Sequence, residues 1–199
     1  MRIWFYCVCV GVLMWGCSVE SYIDVLEIEY KDLTFERVTI DGITEIRAIL
    51  VFSFLDGNGI LGAREGNNSR SRIFIAWEEK TSDDTYEPLM NEFDIYNEDG
   101  RLIGSEILPF EGRTTVPYGS VMDKDGANNR TLKGKIDIPL MIPLAPVNNP
   151  DVVRIAFYIT DRNGKRSITK GSIRIDDVVP PPTYTPDFNL KTFEFIDTE

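Results

Sequence analysis

The sequence predicts an all-β fold, an antiparallel β-sandwich, and three observations predict it. Apolar and polar residues alternate strictly over several runs of seven to ten residues, as they do when one face of a strand is buried. Turn signals separate these runs at short intervals, which is the spacing of a sandwich or barrel. No long stretch carries a convincing helical period. The 199 residues suit one domain with appendages, and 43% apolar against 27% charged residues is an ordinary globular balance.

Taken in order, "DVLEIEY" and "RVTID" are short strand candidates. "EIRAILVFSF" follows, with Ile46, Ala48, Leu50, Phe52 and Phe54 on one face. "SRIFIAWEEK" places Ile73, Ile75 and Trp77 together, so Trp77 is expected in the core on the third main strand. "EFDIYN" and "RLIGSEI" flank "NEDG" (Asn97 to Gly100), whose Asp-Gly tolerates the positive φ of a hairpin turn. "TLKGKIDIPLMI" sets Leu132, Ile136, Ile138, Leu140 and Ile142 against Lys133, Lys135 and Asp137. "VVRIAFYITD" contributes Ile155, Phe157 and Ile159. The turn "DRNG" (Asp161 to Gly164) leads to "SITKGSIRID" with Ile173 and Ile175. From Val179, "VVPPPTYTP" reads as an extended, polyproline-like spacer. The tail "DFNLKTFEFIDTE" reads either as a terminal strand on its own domain or as a free strand able to add to a partner's sheet edge.

Charge and composition exclude several functions. A net charge of −11 repels phosphate backbones, so nucleic acid is not an expected partner. The chain has no His, which removes Ser-His-Asp and Cys-His catalysis and most zinc sites. The acidic runs "WEEKTSDDTYE" and "YNEDG" hold enough carboxylates for a glycosidase pair, but such runs are usually solvated faces, and no enzyme is expected.

The N-terminus, "MRIWFYCVCVGVLMWGC", reads as a unit. Arg2 begins an uncharged apolar run of thirteen residues, Ile3 to Trp15. That is short of the roughly 20 residues a helix needs to cross a bilayer and fits a secretory signal. Gly16 then precedes Cys17. The segment resembles a bacterial lipoprotein signal, in which cleavage falls before the cysteine and lipid joins its sulfur. Bulky Trp15 departs from the small residue of that pattern. All three cysteines, Cys7, Cys9 and Cys17, lie here, so an exported domain would hold together without disulfides. One acyl chain anchors weakly and several anchor firmly. The resemblance implies lipidation at Cys17 and a place in the bacterial cell envelope, with the outer membrane favoured.

Cys17, "FSFLDGNGILG" and "FYITDRNGKRS" together make residues 1 to about 178 resemble small lipoproteins of Bacteroidota-type envelopes with one immunoglobulin-like domain. The family's commoner acidic motif carries Asp where this chain has Asn58 and Ile60. The resemblance implies an immunoglobulin-like sandwich, a location, and little chemistry. The expected organisation is a signal peptide over 1–16, a lipidated tether over 17–23, the sandwich over 24–178, and the spacer and tail over 179–199.

Two candidate sites follow. Three tetrapeptides have the form Asp-x-[Asp/Asn]-Gly, at Asp56, Asp123 and Asp161. None fits the EF-hand template, because its fifth position holds Ile60, Ala127 and Lys165 and its twelfth holds Asn67, Gly134 and Ser172. Each also reads as an Asx-type turn. In a sandwich of alternating strands, however, these loops gather at one pole, with the turn at 97–100 a further candidate. Weak Ca2+ binding by Asp56, Asn58, Asp123, Asp161 and Asn163 is the possible cofactor reading; otherwise no cofactor is expected. The loop tyrosines Tyr86, Tyr96 and Tyr118, with Tyr184, are candidates for a glycan platform. The expected function is that of a non-catalytic, lipid-anchored envelope protein acting as a binding or assembly module for an envelope protein or glycan. The alternatives are a calcium- or glycan-binding accessory domain and, more remotely, a carboxylate-based hydrolase.

Overall fold

The computed structural model describes residues 25–40, 43–57, 61, 71–82, 85–116, 132–172 and 178–196. Within them the fold is all-β. The strands are β1 (Leu26–Ile40), β2 (Ile43–Asp56), β3 (Arg72–Ser82), β4 (Thr85–Pro88), β5 (Met90–Tyr96) and β6 (Leu102–Pro109). They continue as β7 (Glu111–Thr115), β8 (Leu132–Leu140), β9 (Val152–Thr160), β10 (Ile168–Thr169), β11 (Thr183–Tyr184) and β12 (Phe188–Asn189).

Two sheets face each other. One has the order β10-β1-β2-β8, antiparallel except for the short β1–β10 pair. The other is built on the antiparallel pair β3–β9. Its two outer strands are both interrupted: β7 and β4 run in succession along one edge of β3, and β11 and β12 along the free edge of β9. Interrupting an edge strand limits the unpaired backbone offered to another chain. The core lies between the sheets. Leu50, Phe52, Ile136 and Ile138 from the first sheet pack with Ile73, Trp77, Ile155 and Phe157 from the second. Phe52 and Phe157 meet across the gap at 5.3 Å. Trp77 is 2% exposed, as its alternation predicts.

The runs of β2, β3, β8 and β9 fold into strands at the expected places, though β8 ends at Leu140, before Ile142. The expected strand "SITKGSIRID" is described only as β10, followed by a turn at Lys170 and Gly171. β1 differs more instructively. "DVLEIEY" and "RVTID" are parts of the single strand β1. A register shift between Tyr30 and Asp32 inserts Lys31 as a bulge. Leu26 and Ile28 face the core before it, and Leu33 after it, so the alternation changes phase and looks like two strands. The two expected turns form with Gly100 at φ 75° and Gly164 at φ 80°.

The segment expected as spacer and tail lies on the domain. Thr183 and Tyr184 pair with Phe157 and Ala156, and Phe188 and Asn189 pair with Val153 and Val152. Phe188 is fully buried and joins an aromatic cluster: its ring is 5.7 Å from Trp77 and 5.2 Å from Phe35. Ile173 and Ile175, expected in the last strand, lie outside the described residues, as do the signal and tether over 1–23.

Between β4 and β7 the chain leaves the sandwich as a separate two-stranded hairpin, β5–β6. Its base is held by the loop joining β8 to β9: Glu92 N donates to Ala145 O and Val147 N to Met90 O, at 3.0 and 2.9 Å.

Candidate functional site

Asp56 and Asp161 stand at the same end of the sandwich. Asp56 lies opposite Leu132, the first residue of β8. Asp161 follows β9 and begins the turn to β10, which pairs with the start of β1. The carboxylates turn inward. Asp161, 4% exposed, accepts hydrogen bonds from the backbone N–H of Asn163 at 2.8 Å and of Lys165 at 2.9 Å. This is the Asx-type turn. Asp56 is fully buried and accepts from Leu61 N at 2.6 Å. Asn58, Asp123 and Tyr118 lie outside the described residues. Among the described residues, no three Asp, Glu or Cys side chains gather as a metal centre would require. The turn at 97–100 belongs to the hairpin whose base is tied to the loop at the other end.

Of the candidate tyrosines, Tyr86 and Tyr184 come together and Tyr96 lies apart on the hairpin. Tyr96 lies on β5, its hydroxyl bonded to Asp94 at 3.1 Å, a contact that holds the phenol above its ordinary pKa. Tyr86 lies on β4 in the larger sheet, its hydroxyl bonded to Asp187. The Arg154 guanidinium sits between the rings of Tyr86 and Tyr184, 3.5 and 3.9 Å from their centres. It also grips one oxygen of Glu78 through Nε and Nη2, both at 2.8 Å.

An open groove lies on the outer face of the larger sheet, and Glu78, held by Arg154, is part of its lining. Register builds it. On β3 the outward residues are Phe74, Ala76 and Glu78; on antiparallel β9 they are Tyr158, Ala156 and Arg154, each directly opposite its counterpart. Cross-strand pairs share a face, so the pairs form an aromatic row, a small-residue floor and an ion pair. The Phe74 and Tyr158 rings stack at 4.7 Å with 10° between planes. The guanidinium of Arg166 lies 3.6 Å over Tyr158. Glu111, Gly112 and Arg113 of β7 border the groove, which encloses about 500 Å3. This volume falls within the range of small-molecule sites. Burial lowers the pKa of Arg166, against the opposing effects of Tyr158 and Tyr184, and no described residue accepts a hydrogen bond from its buried Nε.

Alternation assigned Phe74 and Tyr158 to the faces opposite the core without suggesting that they meet. The available signal was the reversed order of their neighbours, Phe-x-Ala-x-Glu on β3 and Arg-x-Ala-x-Tyr on β9. Compared with known protein families, curated proteins and solved structures, the chain matches none.

Proposed function

We propose that this is a non-catalytic binding module held on the bacterial envelope by lipid on Cys17, its ligand taken in the groove on the outer sheet face. The observation that carries the reading is the Phe74–Tyr158–Arg166 stack beside the Ala76–Ala156 floor. Tyr158 is covered by Phe74 on one face and Arg166 on the other, so a sugar ring would lay its apolar face on Phe74, with Arg113 and Arg166 at hand for its hydroxyls or a carboxylate. A glycan, preferably one bearing a uronate-type carboxylate, is therefore the ligand class we favour. The immunoglobulin-like character of the sandwich belongs to the same proposal and rests on the pattern of strands and turns. The glutamate that faces the groove from β3, Glu78, is engaged by Arg154, which favours binding over hydrolysis.

Two experiments test this. Screening the protein against neutral and acidic oligosaccharides should give binding that falls at least tenfold in Arg166→Ala and in Tyr158→Leu, with unfolding checked separately. No binding by the parent protein to any member ends the glycan reading. For the anchor, metabolic labelling with a fatty acid in a bacterial host should mark the parent chain and leave Cys17→Ser unlabelled; an unlabelled parent ends it. The calcium reading of the Asp56–Asp161 pole rests on its loop composition, and calorimetric titration with Ca2+ that releases no heat removes it.

A further inference from the structure

We propose that β6 is a self-pairing edge, through which two copies of this chain join antiparallel into a four-stranded sheet β5–β6–β6–β5 about a two-fold axis at Ser105. The outer edge of β6 carries no strand among the described residues, since β5 and β6 form a sheet of two. Every residue of β6 is exposed, including Ile103 at 64% and Ile107 at 52%. Leu102 and Leu108 are also exposed. A two-stranded ribbon is marginal on its own, and an exposed edge rich in apolar residues is a template for another strand.

The sequence of the edge specifies which strand. Leu102-Ile103-Gly104-Ser105-Glu106-Ile107-Leu108 reads almost identically in both directions about Ser105. The pairing of β6 with β5 passes from Gly104 to Leu102, so Ile103 is a bulge residue. Antiparallel pairing about Ser105 sets Gly104 opposite the partner's Glu106 and brings Ile103 and Leu102 up to the partner's Ile107 and the partner's Leu108. Two-fold symmetry repeats each contact. Glu106 thereby faces a residue with no side chain. Moving the axis one residue on, to Glu106, would place two glutamates face to face, which is unfavourable. Beyond the bulge Arg101 lies toward the partner's Pro109 and the partner's Glu111, so the one cation of the hairpin approaches a carboxylate at each end. Pro109 has no amide hydrogen to donate and closes the pairable stretch. A foreign strand would need none of this symmetry.

Cysteine cross-linking tests the register. In the full chain, with Cys7, Cys9 and Cys17 changed to serine in every arm, Ser105→Cys should give a covalent dimer under mild oxidation. Directly opposed residues of an antiparallel pair have Cα atoms about 4.5–5.5 Å apart, within disulfide reach. Asp94→Cys on β5 should stay monomeric, because the two copies of residue 94 are separated by three strand spacings, about 14 Å. A monomeric Ser105→Cys protein, or equal cross-linking of both variants, overturns the proposal. Sedimentation of the full chain in a non-ionic detergent supplies an independent reading. Dimerisation should weaken at least tenfold in Ile107→Glu, whose exposed site leaves folding intact. It should strengthen with added salt, since two copies of like net charge repel. A parent protein that is monomeric throughout, or a dimer that salt dissolves, overturns it.

Discussion

At the scale of single residues, two carboxylates with different surroundings make different predictions. Asp161 is buried and caps the turn after β9 through two backbone N–H groups. Asp161→Ala leaves both donors without that acceptor and should cost about 1–3 kcal/mol by denaturant unfolding. Asp161→Asn keeps an acceptor oxygen and should cost less. Glu29 is at the surface, 2.7 Å from Lys31 and 3.0 Å from Lys170. Hydrogen bonds to these two lysines, Lys31 first, pull its pKa from 4.5 down to about 2. A depressed carboxylate contributes stability that is present above its unfolded pKa and lost as pH falls. The loss is therefore expected from about pH 4.5 down to about 2. Melting temperatures over that range should fall more steeply for the parent than for Glu29→Gln, and high salt should shrink the difference.

At the scale of elements, close approach and burial decide. β8 meets β2 with Gly134 opposite Phe54, and a Cβ at 134 would stand 3.0 Å from the Phe54 ring. Gly134→Ala should thus destabilise by about 1–3 kcal/mol, the usual cost of overpacking. β12 is only two residues long, and its backbone pairing alone would hold little. Its hold comes from Phe188, packed between Phe35 and Trp77. Phe188→Ala should cost about 3–5 kcal/mol by denaturant unfolding, as a buried aromatic does when truncated. A change below 1 kcal/mol would mean that the tail is not docked in solution.

At the scale of the whole molecule, the aromatic side chains link parts distant in sequence. Phe93 of the hairpin stacks near Phe110, Phe110 meets Trp77, and Trp77 meets Phe188 of the last segment. The hairpin base, the core and the C-terminal segment therefore share one cluster. Deleting residues 179–199 should lower the melting temperature of the whole sandwich, because it uncovers the free edge of β9 together with Trp77. Hydrogen exchange should be slowest in β3 and β9, whose inward residues Ile73, Ile155, Phe157 and Ile159 are fully buried, and faster in β5.

Alternation alone determined much of this protein: the strand positions of β2, β3, β8 and β9, the core placement of Trp77, and the two glycine turns. Period-two burial and positive φ are local requirements, and local requirements leave their mark in neighbouring residues. Three features needed the tertiary structure. The phase change at Lys31 reads as a break in sequence, and only the register with β2 shows one bulged strand. β4, β7, β11 and β12 are two to five residues long, too short to display a period, and exist because β3 and β9 offer them an edge. The groove depends on Phe74 and Tyr158 facing each other from strands some eighty residues apart, and that meeting is set by long-range pairing, which no window of sequence contains.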